Sequence, residues 1–127
     1  MAVVFTLLSG KKLNEKEFCR YLSKKIEKTQ KKFNIRGKTN KVYCVDDAAI
    51  DVIAGLMNYK KINLKKSAFL YCLKKELILY SKLRNVQFNF IKYNGLKLKI
   101  SEMLDQLERK HPEIKYSIVN AQSSIKV

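Results

Sequence analysis

VYCVDDAAIDVIAGLMN, residues 42–58, is the stretch whose reading decides the fold. Residues 42–45 are a short apolar run rich in β-prone side chains, and they predict a short buried strand. Asp46 and Asp47 follow directly. Ala48, Ala49, Val52, Ile53, Leu56 and Met57 then recur at helical spacing and predict a helix with a wide apolar face. Acidic residues favour the positive end of a helix dipole, so N-capping is the plain role for the two aspartates.

Working back from this stretch, residues 34–41 (NIRGKTNK) read as a loop with Gly37 as its left-handed residue, carrying Arg36, Lys38 and Lys41. Before it lies the strongest helix signal of the chain. Asn14, followed three residues later by Glu17, resembles a capping box, and the helix it starts runs to about Phe33. Phe18, Leu22, Ile26 and Phe33, helped by Tyr21 and Thr29, form its buried face. Lys16, Arg20, Lys24, Lys28 and Lys32 fall at every fourth position on roughly the opposite face, with Lys25 and Lys31 beside them and Glu27 as the interruption. Like charges at this spacing destabilise a helix by about 0.2–0.5 kcal/mol per pair. A face that tolerates such repulsion predicts phosphate binding. Residues 3–8 are a β-prone run closed by Ser9-Gly10 and Lys11-Lys12. That has the outline of a phosphate loop, but one glycine stands where several are needed to let backbone amides cradle a phosphate, and it reads as a turn.

Working forward, residues 58–66 (NYKKINLKK) are a basic connector with Lys60, Lys61, Lys65 and Lys66. Residues 67–83 are apolar on most sides. They fit either a short strand with a helix from about Lys74 or one buried helix. Val86, Phe88 and Phe90 alternate with Gln87 and Asn89, which predicts a strand. Ile100, Leu104 and Leu107, with Met103 beside them, mark a further helix that Pro112 terminates. A second apolar run, Ile114, Tyr116, Ile118 and Val119, follows, and residues 120–127 read as a polar, flexible tail.

The chain has 127 residues, enough for one domain, and 46% of them are hydrophobic, which excludes a disordered tail. Twenty-seven Lys and Arg against eleven Asp and Glu give a net charge of +16. Self-repulsion of that size is usually compensated by a polyanion, and nucleic acid is the first partner it predicts. The positive charges run from Lys11 to Lys126 and are not gathered into one membrane-facing cluster, and the apolar stretches are too short to span a bilayer. No basic residue precedes the apolar start, so no secretory leader is expected and the cytoplasm is the predicted location. Cys19, Cys44 and Cys72 are an odd, dispersed set with His111 as the lone histidine, a pattern for reduced thiols and not for zinc. Asp46, Asp47 and Asp51 are the one carboxylate group to consider for a divalent metal. No Ser-His-Asp, Cys-His or HExxH arrangement is present, and no catalytic residue, cofactor or metal is expected.

Residues 42–58 also resemble the strand, Asp-Asp and helix element of the PP-loop ATP pyrophosphatases that thiolate tRNA, in which a segment GHNxDDxAxxxLMN follows a central strand. ELILYSKLRNVQF and SEMLDQLERKHPEIKYSIV are similar to the C-terminal part of that family, a Glu-led helix, a strand, and a helix ending in LExxxPxIKYxI. The likeness spans roughly residues 18–125 and points to the cytosolic wobble-uridine 2-thiolation subunits, including the degenerate non-catalytic one. It implies an α/β fold, a small truncated Rossmann-like layer of short parallel strands with about four to five helices. The family's ATP loop SGGKDS is absent, GHN is replaced by YCV, and the flanking cysteine pairs are missing. A chain so reduced is expected to keep the scaffold and an RNA-binding surface without the chemistry.

The expected function is therefore non-catalytic RNA binding, on the ribosome or at a tRNA site, where the protein occupies or guards that site in the manner of a dormancy factor. The alternatives are an accessory subunit that supports a catalytic tRNA-thiolation partner, and an enzyme built on Asp46, Asp47 and Asp51. The expected RNA contacts are Lys16, Arg20, Lys24, Lys25, Lys28, Lys31, Lys32, Arg36, Lys38, Lys41, Lys60, Lys61, Lys65 and Lys66. Lys97, Lys99, Arg109, Lys110 and Lys115 are secondary ones, and Tyr43, Tyr59, Tyr93 and Tyr116 are the candidates for stacking on bases. Neither a membrane nor a small-molecule substrate is expected.

Overall fold

The computed structural model describes residues 2–37, 39–60, 62 and 64–124. Val3–Thr6 (β1) and Lys12–Asn14 (β2) pair antiparallel, Phe5 opposite Leu13 and Thr6 opposite Lys12, around a turn in which Gly10 takes φ +90°. Only a residue without Cβ adopts that angle cheaply. The hairpin feeds directly into Glu15–Phe33 (α1). Asn14 accepts from the Glu17 amide at 2.9 Å, and the Glu17 carboxylate accepts from the Asn14 amide at 3.1 Å, so the predicted capping box starts the helix. Asn34, in the left-handed region at φ +54°, ends it.

Residues 42–45 do not form the predicted strand. Cys44 is the N-cap of Val45–Met57 (α2), and its amide donates to Asp47 Oδ2 at 2.8 Å, while the Val45 amide donates to the Cys72 carbonyl at 3.0 Å. Side-chain capping and a single loop bond thus take the Cys44 and Val45 donors that a strand ladder would have used. Residues 86–90 fare likewise. They meet the stretch before α2 in one isolated parallel bridge between Lys41 and Asn89, with Val42 donating to Asn89 at 3.0 Å and Asn89 to Asn40 at 2.7 Å. The Rossmann-like parallel layer is thereby corrected: among the described residues the fold is five helices and one two-stranded antiparallel sheet. Apolar runs of three or four residues are buried whether extended or capping a helix, so their hydrophobicity does not distinguish the two.

The remaining helices are Lys74–Arg84 (α3), Gly95–Lys110 (α4) and Ile114–Ser124 (α5). The start of α3 at Lys74 agrees with one of the two readings of residues 67–83, although turns and not a strand precede it. Pro112 separates α4 from α5 as predicted. The tail expected from residue 120 is helical through Ser124, and residues 125–127 lie outside the described residues. Two cores result. Val45, Ala48, Ala49 and Ile50 of α2 pack with Leu70, Leu73, Ile100, Leu104 and Val119, so α4 and α5 close over α2. Phe18, Cys19 and Leu22 of α1 pack with Leu13, Val42, Cys44, Phe69, Cys72 and Leu77. The stretches around residues 42–45 and 69–73 belong to both cores and tie the α1 side to the α4–α5 side. No described helix is long and apolar enough to cross a membrane.

Gly55 lets the connector after α2 fold back onto the helix, its carbonyl accepting from the Lys60 amide at 2.9 Å. A Cβ at this position would run into the Ile62 side chain and lie 3.1 Å from the Lys60 carbonyl. Alanine would gain about 1 kcal/mol of helix propensity. Overpacking commonly costs about 1–3 kcal/mol, and here part of the obstacle is backbone. Gly55→Ala is expected to lower stability by roughly 1 kcal/mol net, read as a shift in urea midpoint at unchanged slope.

Candidate nucleic-acid interface

Most of the carboxylates near the cores are held by internal partners. Asp46, only 8% exposed, accepts from Lys115 Nζ at 2.6 Å and from the Lys74 amide at 2.8 Å. Lys115 is 4% exposed and also reaches Asp105 at 2.8 Å and Glu108 at 3.5 Å. It is buried because α5 is a helix: Lys115 lies one turn from Val119 on the face that covers α2. Burial by itself would lower the Lys115 pKa, but the charge of the Asp46 carboxylate and the hydrogen bonds that Lys115 donates to Asp105 and Asp46 reverse that and raise it above the usual lysine range. Asp47 accepts from the Cys44 amide and thiol and from the Tyr93 hydroxyl, and burial raises its pKa. Glu76, 1% exposed, accepts from the Leu73 amide at 2.8 Å and pairs with Lys25 at 3.4 Å, beside the Tyr116 hydroxyl at 3.3 Å. Asp51 accepts from the Tyr43 hydroxyl at 2.7 Å and pairs with Lys97 at 3.1 Å.

These partners redistribute the predicted site residues. Tyr43, Tyr93 and Tyr116 each commit their hydroxyl to the carboxylate network; Tyr43 is 8% exposed and lines a cleft described below, and Tyr93 and Tyr116 are half-buried. Tyr59 is different, at 98% exposure just beyond α2. Lys25, its side chain 21% exposed, is bound among Tyr21, Tyr116 and Glu76, and Lys115 is interior. Asp46 and Asp47 both accept from the Cys44 thiol, at 3.9 and 3.2 Å, while Asp51 is turned to Tyr43 and Lys97. Among the described residues no group of three or more His, Cys, Asp or Glu is arranged to hold a metal ion. The burial of Lys115 carried no sequence signal beyond the helical period that links it to Val119.

The exposed cations form a continuous theme. Lys16, Arg20, Lys24, Lys28, Lys31 and Lys32 of α1 are exposed, as are Arg36, Lys41, Lys60, Lys65 and Lys66; Lys38 and Lys61 lie outside the described residues. Lys99, Arg109 and Lys110 are exposed as well, and Lys97 is half exposed while pairing with Asp51. Lys32 bonds the Tyr71 hydroxyl at 3.0 Å and sits 4.9 Å from the centre of that ring. The fold brings Lys41, Lys65 and Lys66 to one cleft of about 540 Å³, between the C-terminal half of α1 and the segments around residues 35–43, 65–69 and 86–88. Lys65 and Lys66 also border a neighbouring cleft of about 230 Å³ with Lys32. No sequence pattern joined Lys41 to Lys65; the cleft exists because residues 41–42 bond to Asn89 while residues 67–69 pack under α1.

All three thiols are buried. Burial pushes the Cys72 thiol up to about 12, and burial with the Asp46 and Asp47 carboxylates pushes Cys44 higher still. The thiolate is the reactive form, so these two cysteines are expected not to react with an aromatic disulfide reagent at pH 8 until the chain unfolds. Labelling followed by mass spectrometry, with and without urea, checks this. Burial also raises the phenols of Tyr43 and Tyr116 above their usual range. A group whose folded pKa is raised contributes stability below its unfolded pKa that is lost as pH climbs through the folded value. The Lys25 pKa is raised as well, burial lowering it but the Glu76 charge together with Tyr116 and Tyr21 outweighing that, and for the phenols, Lys25 and Lys115 the loss begins at about pH 10. Thermal midpoints are expected to fall steadily above that pH, with the 295 nm ionisation of Tyr43 and Tyr116 appearing only together with loss of the helical circular dichroism signal.

Compared with protein-family models and with curated proteins, the sequence matches none.

Proposed function

We propose that this chain is a non-catalytic RNA-binding protein that associates with the ribosome and occupies or guards a tRNA-binding site. The observation that carries this reading is the separation of charge. Asp46, Asp47, Asp51, Glu76, Asp105 and Glu108 are engaged by internal partners, whereas Lys41, Lys65 and Lys66, from segments far apart in the chain, rim one cleft. With a net charge of +16, the outer surface is left strongly positive. Each phosphate such a surface neutralises releases counterions, which supplies affinity without sequence readout. The lysine ladder of α1, costly to an isolated helix, is then compensated by the RNA it faces.

Sedimentation of cell extract through sucrose tests the reading. The protein is expected in the ribosomal fractions at low salt and in the supernatant after a wash at about 0.5 M salt, because electrostatic binding falls steeply with ionic strength. Absence from the ribosomal fractions at low salt removes the ribosomal part of the proposal. Retention unchanged by the wash removes its electrostatic part.

A further inference from the structure

The geometry points to a seat for one unpaired nucleotide of an RNA strand in the cleft rimmed by Lys41, Lys65 and Lys66. The inference rests on the RNA-binding reading and adds to it the state of the strand and the place of a base. A purely electrostatic surface needs no depth, but this cleft has about 540 Å³, within the roughly 300–1,000 Å³ typical of ligand pockets. Its lining is apolar and partly aromatic. Ile26, Ile35 and Val86 are half-buried there, together with Tyr80 and Phe88. Phe88 is held in place by Phe69, edge-on at 5.4 Å, and lies nearly parallel to Tyr80 at 6.4 Å. Half-buried rings supported from behind are what a base needs for stacking.

Polar groups stand at the same cleft. Gln30 and Asn40 are among its lining residues; the Gln30 amide donates to the Gly37 carbonyl at 3.4 Å, which leaves its oxygen as an acceptor, and the exposed Asn40 carries an amide of the kind suited to a base edge. The three lysines supply the cations for the flanking phosphates. Glu27 is the single acidic residue among those described that line the cleft, so the charge there favours a polyanion despite it. A base in a duplex cannot reach such a seat without leaving its stack, whereas an unpaired one can. The same cleft chemistry fits a free nucleoside monophosphate, and the experiment separates the two sources.

The probes are a fluorescein-labelled single-stranded RNA of twelve nucleotides, an RNA hairpin with the same number of phosphates, and uridine and adenosine monophosphate as competitors. Charge alone favours the hairpin, whose charge density is higher. The seat predicts the reverse, with the single strand bound about tenfold more tightly, the scale of one stacked base. Val86→Trp, a larger side chain at a residue that lines the cleft, is expected to remove that preference while leaving hairpin binding within about twofold. Gln30→Trp fills it from α1 and guards against a folding defect in the first variant. In the unaltered protein, a 5-iodouridine-substituted strand is expected to crosslink at Tyr80 or Phe88. Monophosphates are expected to compete only at millimolar concentration; competition at micromolar concentration assigns the cleft to a free nucleotide and overturns the proposal. Equal binding of strand and hairpin, unaffected by both variants, also overturns the seat and leaves the RNA-binding reading standing. Failure to bind either RNA at low salt removes that reading and the seat with it.

Discussion

Lys115→Met is expected to destabilise the protein by about 3–5 kcal/mol, the typical cost of breaking a buried ion pair from one side. Lys115 Nζ lies 2.6 Å from Asp46 Oδ2 in a place where the lysine is 4% exposed, and Asp105 and Glu108 complete its surroundings. Methionine fills the space of the lysine stem but leaves Asp46, 8% exposed, with no cation and with the Lys74 amide and the Cys44 thiol as its remaining donors. Asp46 also stands at the start of α2, which carries one face of the α2–α4–α5 core, so the penalty falls on cooperative unfolding and not on a loop. Urea titration followed by circular dichroism measures the loss. Combining Lys115→Met with Asp46→Asn is expected to recover at least about 1 kcal/mol relative to the sum of the single changes, because the orphaned charge is then gone. A purely steric role for Lys115 predicts additivity. Lys99→Met on the exposed side of α4 is the control and is expected to be nearly silent.

The second large effect concerns RNA. Reversing charge at the cleft, Lys41→Glu with Lys65→Glu and Lys66→Glu, is expected to reduce the slope of log affinity against log salt by about 2, from roughly 0.7 per phosphate contact on a single strand. At about 0.1 M salt that corresponds to a hundredfold loss. Fluorescence anisotropy at four or five salt concentrations gives both quantities. All three lysines are exposed, so the thermal midpoint should stay within a few degrees of the unaltered protein. A loss of affinity with an unchanged slope is incompatible with phosphate contacts. Reversing Lys16 and Arg20, nearer the start of α1 than the residues that line the cleft, distinguishes a focused contact from a diffuse one. A focused contact predicts a clearly smaller effect there.

The same contrast between local and distant partners explains which parts of the fold and site were legible beforehand. The α1 boundaries followed from Asn14, Glu17 and the spacing of Phe18, Leu22 and Thr29, because a capping box and a helical period are local and leave a direct trace in residue order. The stop at Pro112 is equally local. Residues 42–45 and 86–90 misled because alternation and β-branching record burial, not partnership. Whether an extended segment becomes a strand depends on a neighbour long enough to complete a ladder, and here the two segments meet at one bridge. Among the site residues, the lysines of α1 were placed on an exposed face by the same periodicity that buried Phe18 and Leu22. Lys25 escaped that pattern because Glu76, far along the chain, reaches back to it.

What the sequence by itself determined is therefore the charge, the helices with local start and stop signals, and the basic character of α1. Only the tertiary structure decided that the helices pack without a parallel sheet, and that Tyr43, Tyr93, Tyr116, Lys25 and Lys115 engage the carboxylate network. It alone also decided that Lys41 meets Lys65 and Lys66 at one cleft. The physical reason is range. Helix periodicity and capping act over a few residues, whereas desolvation of a buried charge requires a partner from anywhere in the chain, and that partner is known only once the fold has closed.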